Sequence, residues 1–327
     1  MADPTSTSEP SGGAAATRVA VIVTAYQKAR WLDRAIRSCV EQDHPALEVI
    51  VVDDGSTDDP ATVVAGHPGV RFVRKDNGGP SSARNAGIRA TTAELVVFVD
   101  GDDWLLPGAV AANVAAFGTT PRPGMVAGGY VDWWESDSPE PDLSRVSTAF
   151  GAGPTPVSHR GFADLLRHGN HIGMLGAVMF DRAALVASGG WDDATRACED
   201  YDVYLRMARD HLVAYHDRPL AVYRRHDTNL SLDSPLMLQT GIRVLRRQRE
   251  ACAGDPVLRR ALDDGLATMR SWYGWSTVAA IGPAVRERRW RDAGRATIAG
   301  MRYAPRLVAG RLLGRARRVA PQMLGRR

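Results

Sequence analysis

The sequence predicts an α/β fold: a doubly wound, mostly parallel central sheet flanked by helices, with a helical C-terminal extension. Two observations carry this. Short β-rich apolar runs alternate with helix-patterned stretches between Arg18 and Phe117. The runs are near-continuous in apolar residues, which fits strands covered on both faces.

The elements follow in order. Residues 1–17 are rich in Ser, Thr, Pro, Gly and Ala with no apolar period, and read as a disordered tail. VAVIV (19–23) is a first strand. Trp31 to Gln42 is a helix, with Leu32, Ala35, Ile36, Cys39 and Val40 at helix-face spacing. LEVIVV (47–52) and VRFV (70–73) are the next strands. Pro80 opens a helix from Ser81 to Ala90, LVVFV (95–99) is a fourth strand, and Trp104 to Phe117 reads as helix limited at its start by Pro107. MVAGGYVDWW (125–134) is a strand, and the polar residues 135–158 are a long loop. Helix and strand signals return in FADLLRH (162–168), GAVMF (176–180), a helix capped by Asp181, the helical YDVYLRMARD (201–210) and the strand LAVYR (220–224). From about Pro235 onward the chain reads as successive helices, broken near Gly254-Asp255-Pro256, Gly282-Pro283 and Pro305. Three units result: the tail 1–17, a domain 18–232 whose halves are 18–120 and 121–232, and a basic helical extension 233–327.

Composition sets bounds. With 327 residues, 44% hydrophobic and 24% charged, the chain is neither disordered throughout nor collagen-like, and it can bury a large core. No run reaches about 18 consecutive apolar residues, and MADPTSTSEP lacks a basic-then-apolar leader. Cys39, Cys198 and Cys252 are odd in number and far apart, so neither a disulfide framework nor a zinc site is expected. A cytoplasmic chain is the expectation. The net charge of +4 is unevenly spread: residues 286–327 hold thirteen arginines against Glu287 and Asp292, a local +11 against −7 for the rest. Such a segment can meet an anionic membrane, an acidic partner or a nucleic acid. The last is not expected, because the body is acidic and no recognition motif is present.

In open α/β sheets ligands bind beyond the carboxyl ends of the strands. Here those ends read Thr24-Ala25-Tyr26, Asp53-Asp54-Gly55-Ser56, Lys75-Asp76-Asn77-Gly78-Gly79 and Asp100-Gly101-Asp102-Asp103. Any one of the Asp-Gly stretches could be only a turn or a helix cap. Carboxylates two apart across Gly101 can also converge on Mg²⁺ or Mn²⁺, hard cations that share their shell with phosphates. Asp53-Asp54 would suit a nucleotide base or ribose. Asn77-Gly78-Gly79-Pro80 leads into a helix whose N-terminus, with Arg84, favours an anion, unless it is a plain loop-to-helix junction. No G-x-G-x-x-G or P-loop follows the first strand, which argues against a dehydrogenase or P-loop enzyme.

Taken in order, VAVIVTAY, VVDDGSTD, NGGPSSARNAGI and FVDGDDW resemble the family 2 glycosyltransferases of the GT-A fold. The resemblance continues through Gly189-Gly190-Trp191-Asp192, Glu199-Asp200-Tyr201-Asp202 and Tyr223-Arg224-Arg225-His226 with Ser231, and covers residues 18–232. It implies a nucleotide-sugar donor, expected to be a UDP-sugar, and Mg²⁺ or Mn²⁺ as cofactor. By the same resemblance Thr24, Tyr26 and Asp54 line the base pocket with Asp53 alongside, and Arg84 or Asn85 approaches the nucleotide. Asp102 binds the metal most directly, Asp100 the ribose or metal shell, and Asp103 assists. Asp200, beside Glu199, is the catalytic base, and His226 supports the metal or diphosphate. The implied reaction is a displacement that inverts the anomeric centre. Asp200 near a helix start would stay ionised, a modest base; alternatively Glu199 and Asp200 only cap the helix.

Two rivals differ in class. A sugar nucleotidyltransferase needs a Gly-rich basic loop after the first strand, where this chain has TAYQKARW. A degenerate nucleotide- or glycan-binding module would have no use for both Asp102 and Asp200. The acceptor is a glycan, a lipid-linked sugar or a small molecule. Residues 304–320 place Val308, Leu312, Ala316 and Val319 on one helical face, which suits peripheral contact with the inner membrane face. Arg315 falls on that same face, and a solvated basic helix is the alternative.

Overall fold

A computed structural model describes residues 16–136, 140–143, 146–147 and 161–312. Its first half is built from β1 (Val19–Ala25), α1 (Ala29–Val40), β2 (Leu47–Asp53), α2 (Pro60–Ala65), β3 (Arg71–Arg74), α3 (Pro80–Ala90) and β4 (Leu95–Asp100). There follow β5 (Trp104–Leu105), α4 (Ala109–Phe117), β6 (Met125–Trp134), β7 (Val146–Ser147), α5 (Gly161–His168), β8 (Val178–Asp181), α6 (Arg182–Ala187), α7 (Glu199–Asp210) and β9 (Val213–Arg225). The chain then runs through α8 (Ser234–Arg247), α9 (Arg249–Cys252), α10 (Pro256–Arg286), α11 (Trp290–Tyr303) and α12 (Pro305–Leu312).

One sheet runs in the order β3-β2-β1-β4-β8-β6-β9-β5, with β7 on β6. Strands β3, β2, β1 and β4 are mutually parallel, and every residue of β1 is buried, as a two-sided apolar run requires. Beyond β4 the expected parallel order gives way. β8 lies antiparallel to β4 and β6, β5 antiparallel to β9, and β6 parallel to β9. The sheet is therefore mixed, with β8, β6, β9 and β5 continuing it beyond β4.

Three other expectations are corrected. Trp104 does not begin a helix: Trp104 and Leu105 pair with Val222 and Ala221, and the helix starts at Ala109 after Gly108 (φ 76°). Three adjacent buried apolar residues, Trp104 to Leu106, suit a strand as well as a helix face. The late strand begins at Val213, seven residues before Leu220. Gly282-Pro283 does not break α10, because Pro283 lies in the last turn, and the helix stops where Arg288 takes φ 58°. The breaks at Asp255-Pro256 and Pro305 are present, and Asp255 accepts from Val257 N at 2.7 Å. Asp181 caps α6 by accepting from Ala184 N at 3.0 Å. Most of the tail 1–17 and of the loop 135–158 lies outside the described residues.

The C-terminal helices share the core. Leu238, Ile242 and Leu245 of α8 and Ala261, Leu262 and Leu266 of α10 are buried in one cluster with Leu165 and Leu166 of α5 and Tyr201 and Tyr204 of α7. Gly265 lies against the Leu166 carbonyl: a Cβ there would stand 1.8 Å from that oxygen. Backbone cannot yield as a side-chain tip can. Gly265→Ala is therefore expected to lower Tm by about 5 °C or more. Gly294→Ala, where a Cβ meets nothing within 4 Å in an exposed helix, should raise it slightly. Equal shifts in a thermal melt would remove this account of the α5–α10 contact. Among the described residues no helix is long and apolar enough to cross a membrane.

Candidate active site

The parallel register brings the predicted polar strand ends together. Thr24 of β1 stands opposite Asp100 of β4, and Ala25 opposite Asp53 of β2. Thr24 Oγ1 donates to Asp100 Oδ1 at 3.0 Å. Asp53 and Asp54 are buried and hold their own loops in shape. Asp53 Oδ1 accepts from Ser56 N at 2.9 Å, and Arg74 lies 3.2 Å from its other oxygen. Asp54 accepts from Lys75 Nζ at 2.6 Å, Gly78 N at 3.0 Å and Gly79 N at 2.7 Å, which draws the 75–79 loop over the end of β2. Gly79, at φ 87°, makes the turn into α3. Tyr26 stays half exposed at the lip.

Arg84 crosses the cleft. It is buried, donating to Asp100 Oδ1 at 2.9 Å and to Glu199 Oε1 at 2.8 Å, with its guanidinium over Trp191 at 4.6 Å. Burial opposes its charge, but the two carboxylates more than offset that and raise its pKa. The predicted Arg84 is thus an internal tie between β4 and α7. Asn85 does not face the cleft by its amide: Nδ2 donates to Trp191 O at 2.8 Å and Oδ1 accepts from Trp191 N at 3.0 Å. Asn85 fixes the Gly189–Trp191 turn, the geometry that a loop-to-helix motif read alone does not reveal.

A second group surrounds Asp102. His226 Nε2 lies 2.9 Å from Asp102 Oδ2, and Lys28 Nζ donates to the same oxygen. Burial disfavours the Asp102 anion, yet the hydrogen bonds and charge from His226 and Lys28 win and hold its pKa below the ordinary carboxylate value. His226 stacks on Trp31 with ring centroids 4.3 Å apart, and Thr228 Oγ1 sits 2.9 Å from Nδ1. Arg224 secures the loop from below: its N donates to Asp103 Oδ1 and its Nε to Asp102 O, both at 2.9 Å. Asp103 is consequently turned toward β9. Burial first, then Asp102 and Asp100, raise its pKa well above normal. Tyr223 closes the segment through a 2.9 Å hydroxyl contact with Ser231.

Asp200 sits in the first turn of α7. Its oxygens accept from Asn170 Nδ2 and from Tyr201 N, each at 2.7 Å. The helix start was expected to favour its anion. The outcome is the reverse: burial and the neighbouring Glu199 outweigh Tyr201, Asn170 and Arg84 and push the pKa up to about 6. Glu199 is engaged by Arg84. Lys28, Trp31 and Asn170 escaped the sequence reading. Lys28 and Trp31 lie in the TAYQKARW stretch noted for its missing glycine, while a lone Asn in a loop carries no signal.

The residues present fit a divalent cation. Among the described residues no group of three or more His, Cys, Asp and Glu is arranged to hold a metal by itself. Mg²⁺ and Mn²⁺ are commonly held by one or two carboxylates, with phosphate oxygens completing the shell. The Lys28 ammonium between Asp102 and His226 already marks the point as one that takes a cation.

Comparison with known proteins decides the family. The family model described as "Glycosyl transferase family 2" matches residues 20–185. The chain belongs to glycosyl transferase family 2. Uncharacterized protein MT1568 of Mycobacterium tuberculosis (strain CDC 1551 / Oshkosh) is 30% identical over 248 residues, 71% of this chain and 73% of that one. Among solved structures, S. aureus TarS 1–349 in complex with UDP-GlcNAc gives a TM-score of 0.55 at 16% identity, covering 88% of this chain and 92% of that one. Mannosyltransferase PcManGT from Pyrobaculum calidifontis, in complex with GDP-Man and Mn²⁺, gives 0.56 at 20%, covering 91% and 84%. These likenesses show the fold, that of the GT-A glycosyltransferases. This family 2 enzyme is accordingly a glycosyltransferase.

Proposed function

We propose that the enzyme transfers a sugar from a nucleoside diphosphate sugar, a UDP-sugar, to an acceptor hydroxyl with inversion, and that Asp200 is the base. The observation that carries the reading is the raised pKa of Asp200, about 6, on a helix tied through Glu199 and Arg84 to the Asp100 end of β4. A base with that pKa is ionised at neutral pH and still able to take a proton. The acceptor oxygen forms its bond to the anomeric carbon, the bond from that carbon to the diphosphate oxygen breaks with its electron pair, and the acceptor proton passes to Asp200. Attack opposite the leaving group inverts the centre. Asn170 and the Tyr201 N–H hold the carboxylate in orientation.

Asp102, Asp100 and His226 would hold Mg²⁺ or Mn²⁺, which when bound neutralises charge on the departing diphosphate. Asp100 keeps one oxygen on Thr24 and Arg84 and is exposed on the cleft side, where a ribose or the cation shell meets it. Tyr26 at the lip and Thr24 beneath it bound the base pocket, with Asp54 setting its floor loop. UDP-GlcNAc in TarS and GDP-Man with Mn²⁺ in PcManGT support a nucleotide sugar and a divalent cation. The acceptor is a glycan, lipid-linked or small-molecule hydroxyl, met at the inner membrane face or in the cytoplasm.

Calorimetric titration with UDP, GDP and dTDP, with and without Mn²⁺, tests this. UDP should bind more tightly with Mn²⁺, and Asp102→Asn should lose that gain. Binding of none of the three would sink the donor-site reading, and preference for GDP or dTDP would replace the donor base.

A further inference from the structure

The inward and outward faces of α11 are the reverse of a soluble surface helix. Ala293, Ala296, Ala299 and Gly300 face inward and are buried. They let α11 lie close on its neighbours: a Cβ on Gly300 would stand 3.0 Å from Val308 and 3.4 Å from Val278. The large apolar residues point out. Trp290 is 65% exposed, Ile298 68% and Met301 59%. With Gly294 they sit at spacings of four, four and three residues, which places them in one stripe along the helix. Scattered exposed apolar residues mean little, but a continuous stripe on one helix is a contact surface.

The flank of the stripe is cationic. Arg291 and Arg302 fall on the adjoining arc of α11, with Arg295 between them paired to Asp233 at 2.6 Å. Arg302 and Tyr303 also line a cavity of about 450 Å³ with Gln239, Arg243, Arg246 and Arg247 of α8. No carboxylate lines it. Elsewhere on the surface arginines meet acids, as in Arg34–Glu140, Arg71–Glu48 and Arg289–Asp292. Arg243, Arg246 and Arg302 have no such partner among the described residues. The crowding is felt nearby: burial and then Arg246 and Arg249 lower the pKa of Arg270. Arg247 is held by Asp192 at 2.6 Å, but the three unpaired guanidinium groups beside it suit phosphate oxygens.

We propose that α11 is a membrane-docking helix, seated on an anionic phospholipid surface. Trp290, Ile298 and Met301 enter the boundary between headgroups and acyl chains, and the arginine cavity takes a headgroup phosphate. Apolar insertion and arginines on one side of one helix match the two properties of such a bilayer, and the thirteen arginines of residues 286–327 supply the long-range attraction. The segment 304–320 to which the sequence pointed begins directly after α11, and its residues 313–320 lie outside the described residues. The proposal does not depend on the donor chemistry.

Flotation of the full chain with phosphatidylcholine vesicles, alone or with phosphatidylglycerol, tests it. The chain should float with the mixed vesicles, and the triple variant Trp290→Ser, Ile298→Ser, Met301→Ser should partition about tenfold less. Arg246→Ser with Arg302→Ser should narrow the difference between the two vesicle types. The altered residues are exposed, so circular dichroism and the thermal melt of the same variants should be unchanged and report an intact fold. Failure of wild type to float, or equal flotation of the triple variant, overturns the proposal. So does a wild-type dimer by sedimentation that the triple variant converts to monomer, because the stripe would then be covered by a second copy.

Discussion

Asp200→Asn is expected to lower turnover about 10²- to 10⁴-fold while making the protein more stable at pH 8. The loss follows from removing the proton acceptor. The gain follows from linkage. The folded pKa of Asp200, about 6, lies above its ordinary 3.8, so the fold disfavours the ionised form. The resulting destabilisation is absent below about pH 4, grows as pH rises toward 6, and is fully present above that. Asparagine removes it, so Tm should rise by a few degrees at pH 8 and not at pH 4. In wild type, kcat/KM should fall about tenfold per pH unit below pH 6. Near-normal turnover in the variant would remove Asp200 as base. An acid limb near pH 4, or a lower Tm at pH 8, would show that burial and Glu199 do not perturb it as described.

Arg84→Met should be among the most damaging single changes in residues 18–120. It leaves Asp100 and Glu199 facing a buried apolar side chain, and breaking such a pair costs about 3–5 kcal/mol. Chemical denaturation should register that loss, with donor binding weakened as Asp100 loses its orientation. Arg84→Met with Glu199→Gln should recover part of the stability, because one stranded charge is gone. A wild-type denaturation midpoint for Arg84→Met would contradict the assignment of Arg84 as the tie between β4 and α7.

The legible part of the fold was the part written in apolar runs. β1, β2, β4 and β6 are continuous enough that their positions follow from burial alone, and Asp181, Asp255 and Pro305 punctuate the helices as their chemistry requires. The mixed half of the sheet was not legible, because strand direction depends on which edge a returning chain meets. Trp104-Leu105 shows the same limit: its register comes from β9, more than a hundred residues away. In the site, acidic strand ends marked the residues, and the fold set their partners. Thr24, Asp100 and Asp102 sit where the strand ends predicted. That Arg84 serves Glu199, that Asn85 serves Trp191, and that Lys28 and Asn170 belong to the site depend on contacts between distant segments.

The contact at Gly265 has a consequence for how this enzyme can be recombined. Leu165 O accepts from the Tyr201 hydroxyl at 2.7 Å, and the next carbonyl, Leu166, is the one against Gly265. Asn170, four residues on, holds Asp200. The surroundings of Asp200 thus rest on α5, which packs against a helix far downstream of β1 to β4. Swapping the C-terminal helices between relatives would exchange more than a peripheral appendage. It would also change what α5 packs against, and with it the loop that carries Asn170 to Asp200.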